Sequence, residues 1–187
     1  MREKHKPMLA GGFLIAIMVL STLGYVIGGS GDTIPPVRYN DFTFKNEKNL
    51  WTTTINDQKK YFFYIPQDLE IENSTLLQAI KDSLVIAITY DANSTFVETL
   101  AEAQYRLEQE LSYSRVSVVR GLTTAISSVP KITCANATVT MPVILLQEGN
   151  QTRFTQEPDC IIAEGFSQED IIRITDRILY FFLGVMP

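Results

Sequence analysis

The chain has 187 residues, 45% of them hydrophobic and 20% charged, with a formal net charge of −5 and a pI near 4.9. An acidic balance with both signs interspersed excludes a nucleic-acid partner, which requires clustered Lys and Arg. This much apolar content excludes a disordered chain, and the length suffices for one domain with a core of its own.

Residues 1–7 form a short tail carrying Arg2, Lys4 and Lys6, and residues 8–29 then run without a charge. About 20 such residues cross a bilayer core of about 30 Å, so 8–29 is expected to be a transmembrane helix in contact with the lipid bilayer. The flanking Lys and Arg hold the N-terminus on the cytoplasmic side and place everything after the span outside the cell membrane. A cleavable signal peptide is the rival reading, with an apolar region of about 7–15 residues and a small-x-small site. The run here is longer and has no Ala-x-Ala, which favours an uncleaved single-pass signal anchor. Both readings put the rest of the chain outside.

Residues 30–40, with Gly31 and Pro35-Pro36, read as a linker, and residues 41–187 as the extracytoplasmic domain. Phe42–Phe44, Trp51–Ile55 and Tyr61–Ile65 are aromatic and β-branched runs separated by polar breaks, which predicts a three-stranded antiparallel meander. Leu76, Leu77 and Ile80 have helical spacing, and the apolar run Leu84–Tyr90 predicts a buried strand.

Thr95-Phe-Val-Glu98 has the capping-box pattern ahead of a helix whose apolar stripe is Phe96, Leu100, Ala103, Leu107 and Leu111. Arg115–Arg120 supplies the next strand, so strand, helix and strand form a parallel crossover unit. Gly121–Thr133, small and polar with Pro130, reads as loop or a poor helix. Pro142–Gln147, Thr152–Thr155 and Cys160–Glu164 are further extended segments. Ser167 caps a last helix, with Phe166 and Ile171 placed as a hydrophobic staple, a polar side of Glu169, Arg173, Asp176 and Tyr180, and an apolar side of Ile171, Ile174, Ile178, Leu179 and Phe182. The expected fold class is therefore α/β or α+β: a three-layer-like domain with an N-terminal antiparallel meander, a mixed sheet and about three helices.

Two features agree with a domain outside the cell. Cys134 and Cys160 are the only cysteines, and an even count in an extracytoplasmic domain favours a disulfide. Asn73, Asn93, Asn136 and Asn150 each begin an Asn-x-Thr N-glycosylation pattern, where about one would arise by chance.

The chemistry is informative by what is missing. His5, the only histidine, precedes the span, so the domain has none with which to build a Ser-His-Asp or Cys-His pair or a His-ligated metal site. No phosphate-binding Gly-rich loop, zincin helix or nucleophile elbow occurs, and nothing calls for a cofactor. Carboxylate chemistry remains open, with Glu108/Glu110 and Asp159/Glu164 as available pairs, but neither is specific and solvated surface acids are the better reading. Asp91-Ala-Asn93-Ser-Thr95 resembles the start of a calcium loop, but Phe96 stands where the turn needs Gly. Asp91 does follow the carboxyl end of a parallel strand and Arg120 ends its neighbour, where open α/β sheets place ligand clefts. These two are the candidate ligand-binding residues, against the favoured reading as helix capping by the loop and a surface arginine.

Trp51, Tyr61-Phe-Phe-Tyr-Ile-Pro66, Cys134-Ala-Asn-Ala-Thr138 leading to Pro142-Val-Ile144, Asp159-Cys-Ile-Ile162, Asp176-Arg-Ile-Leu-Tyr180 and Leu183-Gly-Val-Met186 form a set. In it the chain resembles a group of uncharacterised single-pass archaeal membrane proteins. That resemblance implies an archaeal cell-envelope location and carries over no catalytic residue. The expected function is a membrane-tethered, disulfide-linked, glycosylated domain that binds another membrane or surface protein without catalysis. The alternative is a surface enzyme or glycan-binding domain using carboxylates in a cleft.

Overall fold

The computed structural model describes residues 17–18, 34–125 and 128–187. The expected span 8–29 lies outside the described residues apart from Ile17 and Met18, which are helical. Among the described residues no helix is long and apolar enough to cross a membrane. The chain divides into one unit of Met1–Pro35 and a second of Pro36–Pro187. The second carries the described fold.

It begins with a four-stranded antiparallel sheet in chain order: β1 (Val37–Tyr39), β2 (Phe42–Glu47), β3 (Leu50–Ile55) and β4 (Gln58–Phe62). The sequence led to three strands here. The fourth is β1, formed by residues expected to be linker, which pair Val37 with Phe44 and Tyr39 with Phe42. Of the three hairpin turns, the last two are Lys48-Asn49 and Asn56-Asp57, all four residues at positive φ. Two-residue turns of this kind match the right-handed strand twist, and Asn and Asp tolerate the conformation. Because Asn56-Asp57 completes the last turn, β4 starts at Gln58 and not at Tyr61, and it stops at Phe62 because the next two amides bond elsewhere.

After a 3₁₀ turn at Ser74–Ile80 comes a five-stranded mixed sheet. Its strands are β5 (Val85–Tyr90), β6 (Ser117–Leu122), β7 (Val143–Glu148), β8 (Arg153–Glu157) and β9 (Cys160–Gly165), in the order β6-β5-β7-β9-β8. The β5/β6, β5/β7 and β7/β9 pairs are parallel, while β8 folds back antiparallel on β9. Helix α1 (Val97–Leu111) joins β5 to β6, as its crossover pattern implied, and α2 (Gln168–Phe182) follows β9.

Side chains alternate across the mixed sheet with the two-residue period of extended chain. Ile86, Ile88, Ile144, Leu146, Ile161 and Ala163 face the helices in the main core. Ala87, Val143 and Cys160 face the other way, against Ile132, Cys134, Ala137 and Met141 of the chain leading into β7. That segment lies close to the sheet: the Thr89 hydroxyl donates to the Ile132 carbonyl at 2.8 Å, and a Cβ on Gly121 would come within 2.6 Å of Ile132 Cβ. Cys134 and Cys160 are disulfide-bonded, with Cα atoms 5.3 Å apart, as the even cysteine count suggested.

The polar and apolar sides assigned to α2 need correcting. Asp176 and Tyr180 were expected on an exposed face, yet both are fully buried, and Arg177 nearly so. The helix is covered on two sides, by the mixed sheet and by the antiparallel sheet. Tyr180 stacks on Phe62 at 4.1 Å between ring centroids and meets Phe44 edge-on at 5.7 Å. The apolar ending after Ile178 belongs to this core. Ser167 caps α2 as expected, accepting from the Asp170 amide at 3.1 Å. The expected staple does not form: Ile171 is buried, but Phe166 is 64% exposed.

Candidate functional site

The carboxyl ends of β5, β6 and β7 lie side by side. From β5 the chain leaves through α1 towards β6, while β7 lies on the other side of β5 and leads towards β9, so the strand order reverses between β5 and β7. Such a switch point opens a crevice at the strand ends.

A cleft of about 360 Å³ occupies this crevice, lined by Asp91, Ser94, Gln147, Glu148, Gly149 and Asn150. Its polar groups are tied to one another. Asp91 Oδ1 accepts from the Asn93 amide at 3.0 Å and from Asn93 Nδ2 at 3.2 Å. Glu148 Oε2 accepts from Ser94 Oγ at 3.1 Å and Thr95 Oγ1 at 2.7 Å. Thr95 was expected to cap α1 in a box with Glu98. It turns to Glu148 instead, and the residue at the cap position, Phe96, makes no side-chain cap.

Arg120 is not in this cleft. It lies on a second, of about 480 Å³, lined by Tyr90, Gln104, Tyr105, Arg120, Leu122 and Pro130 among others. The structure therefore separates the two candidate residues, one to each cleft. The Arg120 side chain is 53% exposed and its Nε lies 3.2 Å from Glu108 Oε2. Tyr105 is 55% exposed on the solvent side of α1. Gln104 is buried and bridges β5 and β6, with Nε2 donating to the Ile88 carbonyl at 2.7 Å and the Gly121 carbonyl at 2.9 Å. That geometry commits its amide nitrogen to the sheet and leaves Oε1 as an acceptor. The cleft thus offers a guanidinium, an amide oxygen and two aromatic rings. Its volume is that of a site for a small molecule or a short peptide segment.

The candidate carboxylate pairs do not meet. Glu108 pairs with Arg120 and Glu110 with Lys60 at 2.8 Å, so each acid of that pair holds its own cation. Glu164 bonds Arg153 at 2.8 Å and Gln147 at 2.9 Å, while Asp159 sits at positive φ in the β8–β9 turn. Among the described residues no group of three or more acids, cysteines or histidines is placed to hold a metal.

The one deeply buried carboxylate among the described residues serves the fold. Asp176 Oδ2 accepts from the amides of Phe63 and Tyr64 at 2.7 and 2.9 Å, and Oδ1 pairs with Arg106 at 2.7 Å. Burial raises its pKa above the usual carboxylate value, and Arg106 and the two amides oppose the rise. Beside it the Tyr180 hydroxyl donates to the Tyr64 carbonyl at 2.7 Å, and the Tyr64 phenol, partly buried and bonded to Glu169, is pushed up to about 12. Arg177 donates through Nη2 to Ser74 Oγ at 3.2 Å and to the Pro187 carbonyl. Its Nε and Nη1 have no partner among the described residues, and burial lowers its pKa.

All four sequon asparagines are exposed: Asn73 at the head of a 3₁₀ turn, Asn93 in the β5–α1 loop, Asn136 over the outer face of the mixed sheet, and Asn150 in the β7–β8 turn. Sequence reasoning did not single out Tyr105 or Gln104 in the larger cleft, or Glu148 in the smaller. Tyr105 carried a readable signal, an aromatic among Glu102, Arg106 and Gln109 on the polar side of α1. Gln104 carried none, because an amide reaching two strands at once depends on where α1 crosses the sheet. No family model matches the chain, and neither does any curated protein or solved structure.

Proposed function

We propose that the chain is a membrane-tethered domain on the outer side of the cell membrane that binds another membrane or surface protein at the Tyr105–Arg120 cleft. One observation carries the reading. The larger cleft at the strand ends sets the half-exposed guanidinium of Arg120, held through Nε by Glu108, beside two tyrosine rings. A guanidinium beside aromatic rings suits recognition, because it pairs with a carboxylate and the rings add contact area at small entropic cost. Tethering follows from the uncharged run 8–29 and the basic residues before it.

The test uses full-length chain taken from gently solubilised membranes, beside Arg120→Glu. Expected is a protein partner recovered reproducibly with the wild type and lost with the variant, and cleavage of the domain by protease added outside intact cells. Recovery of the chain alone, or a partner indifferent to Arg120→Glu, would overturn the binding assignment.

A further inference from the structure

We propose that Asn93 and Asn150 both carry N-linked glycans and that these roof the cleft between β5 and β7, leaving the Tyr105–Arg120 cleft as the open one. The proposal rests on the domain lying outside the membrane, since sequons are read only on that side.

The two sequons are far apart in sequence and converge at one place. Asn150 is itself part of the smaller cleft's lining, and Asn93 stands between Asp91 and Ser94, which also line it. Each is exposed, one on either side of the strand reversal. The other two sequons, at Asn73 and Asn136, and all four asparagines are absent from the lining of the larger cleft. The cleft that open α/β sheets ordinarily use for a ligand is thus the one bracketed by acceptor sites.

The hydrogen bonds fix when the sugar is added. A sequon is recognised through its hydroxyl as well as its amide, and in the folded domain Thr95 Oγ1 is bonded to Glu148 at 2.7 Å and Asn93 Nδ2 to Asp91 at 3.2 Å. Glu148 lies on β7, 53 residues beyond Thr95, so the Thr95 hydroxyl is free until β7 joins the sheet. Transfer therefore precedes completion of the fold. In that step Nδ2 attacks the anomeric carbon of a lipid-phosphate-linked oligosaccharide. A C–N bond forms, the anomeric C–O bond breaks, the lipid phosphate leaves and Nδ2 loses one proton. The remaining N–H can still donate to Asp91, so the loop closes as before with the sugar outside it.

Mass mapping of glycopeptides from the full-length chain, taken from its own membranes, reads each site separately. Glycan on both Asn93 and Asn150 is the expected result. Both bare with glycan on Asn73 or Asn136 overturns the roof and leaves the outside placement standing. Four bare sites in a domain that external protease cuts also overturn the roof alone, whereas four bare sites in a protected domain overturn both. Coverage is read with Ser94→Cys, which keeps the Asn93-x-Thr95 pattern, and a bulky maleimide. Labelling should be about tenfold slower or more in the glycosylated chain than with Asn93→Gln and Asn150→Gln added, since access governs thiol reaction. Tyr105→Cys should label alike in both backgrounds. Equal rates at Ser94→Cys would overturn the proposal.

Discussion

The two faces of the helix layer and sheet are closed by different means. Between the helices and the antiparallel sheet the closure is made of large side chains, with Phe44, Phe62 and Tyr180 in ring contact and the Asp176–Arg106 pair pinning the end of β4 to both helices. On the outer face of the mixed sheet the buried residues are few, Ala87, Ile132, Val143 and Cys160, and the covering chain has no long helix or strand of its own. There a covalent bond, Cys134–Cys160, does what area does on the other face. A thin layer with little apolar surface gains proportionally more from a cross-link, because the bond acts on the unfolded chain and not on the contacts.

Breaking the inner closure should cost most. Asp176→Ala removes the partner of Arg106 and leaves the Phe63 and Tyr64 amides without an acceptor. Losing one member of a buried pair costs about 3–5 kcal/mol, read as a lowered midpoint in urea unfolding. The same carboxyl gives a pH test. Its folded pKa is raised, so above the unfolded value near 4 the folded chain holds a proton that unfolding releases. The contribution is present at low pH and lost as pH rises through the folded value. Wild-type stability should therefore fall across that window, and the slope should flatten in Asp176→Asn.

The outer closure is next. Replacing both Cys134 and Cys160 with Ser opens a 26-residue loop, worth about 3.5 kcal/mol on the chain-entropy model. Hydrogen exchange should show residues 128–142 loosening first, while the amides of Phe63 and Tyr64 keep their protection. If both regions loosen together, the two closures are one cooperative unit and the comparison fails.

The same contrast explains what could be read from the sequence. Apart from β1 and the start of β4, the strands follow from period and turn signals, the two helices from their apolar stripes with the Ser167 cap, and the disulfide from the cysteine count, all local signals or compartment arguments. What escaped was the side of α2 that carries Asp176 and Tyr180. A charge and a phenol on one helical face read as solvated, and only a second sheet arriving from 110 or more residues earlier buries them with the amides of Phe63 and Tyr64 as partners. Asp91 was legible as a strand-end residue, whereas Arg120, expected to end its strand, lies within β6 opposite Ile88, two residues before the strand stops at Leu122. Their separation into two clefts was not, because it depends on β6 and β7 pairing with opposite edges of β5.

The smallest effect separates two cap patterns that look alike in the sequence. Ser167-x-x-Asp170 and Thr95-x-x-Glu98 both announce a helix, but only Ser167 accepts from its third following amide, whereas Thr95 donates to Glu148. Ser167→Ala should lower stability by about 1 kcal/mol and Ser167→Asn should retain most of it, since the asparagine oxygen can take the same amide. Urea midpoints resolve a difference of that size. An unchanged midpoint in Ser167→Ala would mean that the packing of Ile171 and Ile174 holds the first turn of α2 without its cap, and that the inner closure extends to the very start of the helix.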